Sequence, residues 1–152
     1  MDSAFTPPAG LAGHVDHIGI AVEDLDAAIA LWRDVLGLEL ERIETVEREQ
    51  VRVAMLRLRR GDPVGHVELL APLSPDSNIG RFLAKKGPGL HHVAVAADDI
   101  AAAMAVCREA GLEPLTPEPL TGAGGKQVVF LHPRGTGRVL VEICAGGHGS
   151  GD

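Results

Sequence analysis

Residues 16–28 lie over residues 91–103 without a gap: His17 falls on His92, Asp24 on Asp99, Leu25 on Ile100 and Ala27-Ala28 on Ala102-Ala103, all at an offset of 75. Further on, Gly37-Leu38 matches Gly111-Leu112 and Val67-Glu68-Leu69 matches Val141-Glu142-Ile143 at an offset of 74. Such a duplication limits the chain to folds in which one supersecondary unit is used twice. Each copy carries a His near its start and a Glu near its end, 51 residues apart in the first and 50 in the second. If the copies fold back on each other about a pseudo-two-fold axis, these equivalent residues meet. Two imidazoles and two carboxylates meeting at one point make a divalent metal site.

The local patterns define the repeated unit. The first copy opens with an Ile- and Val-rich strand, His14–Val22; Asp24 then serves as an N-cap for a helix with an apolar stripe of Leu25, Ala28, Ile29, Trp32 and Leu36, stopped by Gly37. Three strands are predicted around Leu38–Val46, Val51–Arg60 and Val64–Ala71, with Gly61-Asp62-Pro63 as the turn between the last two. The second copy repeats the plan. It has a strand Leu90–Ala97, a helix Ile100–Ala110 with its stripe at Ile100, Ala103, Met104 and Cys107, the stop Gly111, and short strands near Leu112–Leu115, Gln127–Leu131 and Val139–Cys144. The predicted fold is α+β, with two tandem βαβββ modules forming one curved mixed sheet, an open barrel around a metal site with the helices outside. Residues 1–13 are expected as a flexible tail, 14–145 as a single domain (module 1 about 14–72, a linker helix about 77–87, module 2 about 89–145) and 146–152 as a Gly-rich tail.

Strand alternation puts His17 on a face with Gly19 and Ala21, and His92 with Ala94 and Ala96, while Ile18, Ile20, Val93 and Val95 point to the helices. Small residues on the His face leave room for a ligand. The formal charge of −7 argues against nucleic acid or an anionic membrane as partner. No apolar run reaches the roughly 20 residues of a bilayer span, and Met1–Asp16 lacks the basic and apolar regions of a signal peptide. A cytoplasmic location is expected. Cys107 and Cys144, with no CxxC pair, are expected to be buried free thiols.

A single strand histidine is usually a satisfied core residue, but matched His and Glu in both copies favour metal ligation by His17, Glu68, His92 and Glu142. One divalent ion per chain is expected. Oxygen-rich ligation with room for further ligands suits cobalt, zinc, nickel or manganese, and cobalt is the ion expected among them. His91 is expected on the opposite face of its strand in a structural role, and His66 on the Glu68 face. His132-Pro133 reads as a turn, and no role is expected for His148. The segment Gly122-Ala123-Gly124-Gly125-Lys126 has neither Walker nor Rossmann spacing and reads as a flap over the cavity or a plain hairpin turn. Lys85, Lys86, Lys126, Arg134 and Arg138 are the available cations for ligand phosphates. His66, Lys85, Lys86, Gly124, Gly125 and Lys126 form the expected substrate-binding set.

The duplicated plan with four ligands resembles the vicinal oxygen chelate superfamily, which includes glyoxalase I and the extradiol dioxygenases. Within it, HVDHIGIAVEDLDAA, RDVLGLE, VELLAPLSPDS, GPGLHHVAV, GAGGKQVVFLHP and GRVLVEIC resemble the methylmalonyl-CoA epimerase family over nearly all of 14–144. The resemblance implies a metal-dependent isomerase that moves the C2 proton of a CoA thioester through an enolate, and a homodimer is expected. In some family members a Glu on the strand before the turn acts as a base and the second ligand is Gln; here those positions hold Val53 and Glu68. The implied catalytic pair is therefore Glu142 and Glu68. A glyoxalase I-type lyase and a non-catalytic small-molecule-binding protein are the alternatives.

Overall fold

The computed structural model describes residues 4–57 and 65–146. The predicted turn Gly61-Asp62-Pro63, His148 and the tail beyond residue 146 lie outside the described residues. Among the described residues, eight strands and three α-helices follow one another: β1 (Leu11–Ala21), α1 (Leu25–Ile29), β2 (Glu39–Val46), β3 (Val51–Arg57), β4 (His66–Pro72), α2 (Asn78–Lys86), β5 (Gly89–Ala97), α3 (Ile100–Glu109), β6 (Leu120–Thr121), β7 (Gln127–Leu131) and β8 (Val141–Ala145). Parallel and antiparallel pairings both occur, and the class is α+β as expected. Residues 16–93 form one compact unit, and residues 4–15 with 94–146 form another; β1 and β5 each run from one into the other. No described helix is long and apolar enough to cross a membrane.

In the first unit the strand order is β2-β3-β4-β1. β3 pairs antiparallel with β2 and β4, and β4 runs parallel to β1 with His17 beside His66 and Gly19 beside Glu68. Leu25 and Ile29 of α1 pack with Ala54, Leu56, Val67, Leu69 and Ala71. Alternation therefore turns Val53, Met55, His66, Glu68 and Leu70 to the other face. The Asp24 carboxylate accepts from Ala27 N at 3.0 Å, as the predicted N-cap should. One expectation fails: Leu36 belongs to the predicted stripe but is 52% exposed. Ala30–Val35 is π-helical, and Leu36 N donates to Leu31 O, five residues back, at 3.0 Å. The wider turn carries Leu36 off the buried face.

The second unit uses the same devices. Asp99 caps α3 by accepting from Ala102 N at 3.1 Å, and Ile100, Ala103, Met104 and Cys107 pack on Val129, Leu131, Ile143 and Ala145. Leu11 joins this core, so β1 begins three residues before its predicted start. Gly10 O accepts from Asp98 N and Asp99 N, and a Cβ at Gly10 would lie 2.4 Å from Ala103 N. The strand predicted near Leu112–Leu115 is absent. Pro114 makes one isolated bridge to Leu131, and the strand after α3 is the two-residue β6. Pro114, Pro117 and Pro119 have no N–H to contribute to a ladder. β8 starts at Val141, two residues later than predicted, and both cysteines are buried and outside any disulfide.

Candidate active site

His17 on β1, Glu68 on β4 and His92 on β5 come together in the first unit. Each is almost fully buried, at 3%, 6% and 4% exposure. The two Nε2 atoms are 3.0 Å apart, and Glu68 Oε1 lies 3.8 Å from His17 Nε2 and 3.5 Å from His92 Nε2. Metal–nitrogen bonds of about 2.0–2.1 Å at a right angle place two nitrogens roughly 3.0 Å apart, against about 3.4 Å at a tetrahedral angle. The two imidazoles thus fit adjacent positions near a right angle on one divalent ion, while Glu68 Oε1, at 3.5 and 3.8 Å from them, lies just beyond the tetrahedral separation.

The backbone makes room for this arrangement. A Cβ built at Gly19 would fall 2.1 Å from the His92 ring, so the imidazole rests where any larger residue would project. His17 Nδ1 lies 2.7 Å from Asp16 Oδ2, which accepts its hydrogen bond. His92 Nδ1 lies 2.9 Å from His91 Nδ1, and the His91 ring stands edge-on to Phe82 with centroids 5.0 Å apart. Burial, aided by the His17 and His91 neighbours, holds the His92 pKa well below the usual imidazole value. Burial and the Lys86 ammonium bring His91 down to about 4. Both rings are neutral at pH 7, the state in which a ring nitrogen can ligate. His91, expected in a structural role, has a ring nitrogen that meets a ring nitrogen of His92. Asp16 and His91 share the offset of 75 that paired His17 with His92, which is the signal that could have found them.

His66 is buried beside His17, and its Nε2 is 3.2 Å from Glu41 Oε2. Burial acts to raise the Glu41 pKa, but the Arg57 hydrogen bond and the charges of His66 and Arg57 outweigh it and lower the value. Sequence patterning did not single out this Glu41–Arg57–His66 group, because its members lie on three strands. Val53, 2% exposed, shares the Glu68 face and has no proton to move. Lys85 and Lys86 are exposed at the end of α2, and Lys86 Nζ lies 5.8 Å from the Phe82 ring centroid.

In the second unit Glu142 is 5% exposed and sits across from Phe130. Glu68 sits across from Met55 in the same way, 75 residues earlier than Phe130. Gly122–Lys126 is a compact turn joining β6 to β7: Gly122 N donates to Lys126 O at 2.8 Å, and Gly124 and Gly125 adopt φ of 69° and 72°. Lys126 is buried at 3% exposure, whereas Arg134 is exposed and paired with Glu113 at 3.1 Å. His132 accepts from Arg134 N, the turn role expected of it.

Comparison with known proteins adds to this geometry. The Glyoxalase/Bleomycin resistance protein/Dioxygenase superfamily matches residues 16–130. A mitochondrial methylmalonyl-CoA epimerase of Mus musculus is 38% identical over 137 residues, 90% of this chain and 75% of that protein. The chain belongs to the methylmalonyl-CoA epimerase family of this superfamily. An ethylmalonyl-CoA/methylmalonyl-CoA epimerase of Cereibacter sphaeroides is 39% identical, covering 88% of this chain and 98% of that one. A Streptomyces coelicolor methylmalonyl-CoA epimerase variant, solved in complex with 2-nitronate-propionyl-CoA, superposes with a TM-score of 0.83 at 37% identity, over 89% of this chain and 98% of that one. Within this epimerase-family chain, the superfamily match contains His17, Glu68 and His92 and ends before Glu142.

Proposed function

We propose that this chain interconverts (R)- and (S)-methylmalonyl-CoA by proton transfer at C2, using one divalent metal held by His17, Glu68, His92 and Glu142. The observation that carries the reading is the buried His17–His92–Glu68 donor set in a chain whose relatives include epimerases of this substrate. Glu142 is assigned as the fourth ligand because it repeats Glu68 in strand, register and burial. Two nitrogen and two oxygen donors with open positions suit cobalt, zinc, nickel or manganese, and cobalt is the ion proposed. When bound, the ion supplies Lewis-acid stabilisation of the negative charge that develops on the substrate oxygens.

The residues of the chain carry the protons. A carboxylate takes the C2 proton from one face, the bonding pair delocalises into the thioester as an enolate, and a carboxylic acid on the other face returns a proton to C2. Glu142 and Glu68 are assigned these roles, since they are the two buried carboxylates of the proposed ligand set and Val53 on the Glu68 face is apolar. Lys85 and Lys86 are exposed cations suited to CoA phosphates. His66, Gly124, Gly125 and Lys126 complete the proposed substrate-binding set.

The test is deuterium incorporation at C2 of methylmalonyl-CoA in D2O by the cobalt-loaded protein, run beside the hemithioacetal of glutathione. Exchange with the CoA ester and none beyond background with the hemithioacetal is expected. Turnover of the hemithioacetal without exchange would replace the reading with a glyoxalase I-type lyase.

A further inference from the structure

We infer that His91 is a positioning residue that holds the His92 ring with its proton on Nδ1, doing for the second copy what Asp16 does for the first. The inference rests on the reading of His17 and His92 as metal ligands. If each ring gives its Nε2 lone pair to a cation, each Nδ1 must carry the proton, and a buried N–H needs an acceptor. For His17 the acceptor is Asp16 Oδ2 at 2.7 Å. For His92 the group at that place is His91 Nδ1 at 2.9 Å. In both copies the partner is the residue immediately before the ligand, so the duplication repeats the support as well as the ligand.

With His92 donating, His91 accepts at Nδ1 and keeps its own proton on Nε2. Its ring is fixed for this work. It stands at 88° to His92 with centroids 5.1 Å apart and at 82° to Phe82 with centroids 5.0 Å apart. The two supports differ in charge: a carboxylate strengthens the donor character of His17, while a neutral imidazole orients His92 without adding a charge to the buried site.

Three variants separate the acceptor from the ring. His91→Phe keeps a ring against Phe82 but has no acceptor; His91→Asn puts an amide oxygen near the place of Nδ1; His91→Asp copies the first half of the chain. Zinc affinity is read by competition with a chromophoric chelator, with His92→Ala alongside. His91→Phe should bind zinc 10–100-fold more weakly, and the Asn and Asp variants within about threefold of the native protein. Unchanged affinity in His91→Phe, or equal losses in His91→Phe and His91→Asn, would overturn the inference. The native zinc-loaded protein with 15N-labelled histidine gives a second measurement that needs no variant. It should show His92 protonated at Nδ1, and a proton on Nε2 would overturn the inference. If His92→Ala binds zinc as tightly as the native chain, the ligand reading itself fails; if it weakens while His91→Phe does not, only the role of His91 fails.

Discussion

Glu68 and Glu142 occupy equivalent rungs, but the ladders that carry them are built unequally. β3 and β4 pair over seven residues from Val51 to Arg57, with β2 alongside. In the second copy β7 and β8 pair over five, and the strand beyond them is the two-residue β6. The repeat is kept at the strands that hold the Glu and lost at the strand beyond, where three prolines interrupt the backbone donors. A second difference lies at the matched pair Gly19 and Ala94. Gly19 leaves space filled by the His92 ring, while the second copy tolerates a fully buried methyl group at Ala94. Duplication thus preserved the chemistry-bearing register and let the surroundings diverge.

The largest expected effect tests whether both copies serve one ion. His17→Ala and His92→Ala should each reduce metal, measured by elemental analysis after chelation and refilling, from near one per chain to near none, and bring epimerisation to background. Unchanged metal content in both would remove the site. Next come the two carboxylates. Glu142→Gln keeps an oxygen ligand while removing the basic oxygen, so it should retain metal and lose ~10²–10⁴-fold in rate. Glu68→Gln should also retain metal and lose activity, and adding Val53→Glu should recover part of it. Full activity in Glu68→Gln alone would make Glu68 a ligand only.

A smaller contrast concerns the space at Gly19. Gly19→Ala should displace the His92 ring and weaken metal binding by about 10–100-fold, the range for a disturbed ligand support. Ala94→Gly should leave metal binding unchanged and cost about 0.5–1 kcal/mol of stability in urea unfolding. Equal metal affinities in the two variants would show that the ring does not depend on the gap. The smallest effects belong to the caps: Asp24→Ala and Asp99→Ala should each lower stability by about 1 kcal/mol without changing metal content. Loss of metal in either would show that a helix start, and not only a strand, positions the ligands.

The elements that were legible in the sequence are those specified by nearest neighbours or by a period. Asp24 and Asp99 cap where a side-chain oxygen three residues before a backbone N–H must cap, and the alternation along β1 and β5 separates His17 and His92 from the larger aliphatics. The βαβββ plan followed from these. What sequence could not settle depended on partners distant along the chain. The join of Glu41 to Arg57 and His66 and the burial of Lys126 depend on packing against other elements. His91 shows the reason most directly. Alternation places its Cβ opposite that of His92, but only the ring torsions, set by contact with Phe82, bring the two Nδ1 atoms to 2.9 Å. Period and composition determine which face a residue starts from; the packed structure decides where its functional atom ends.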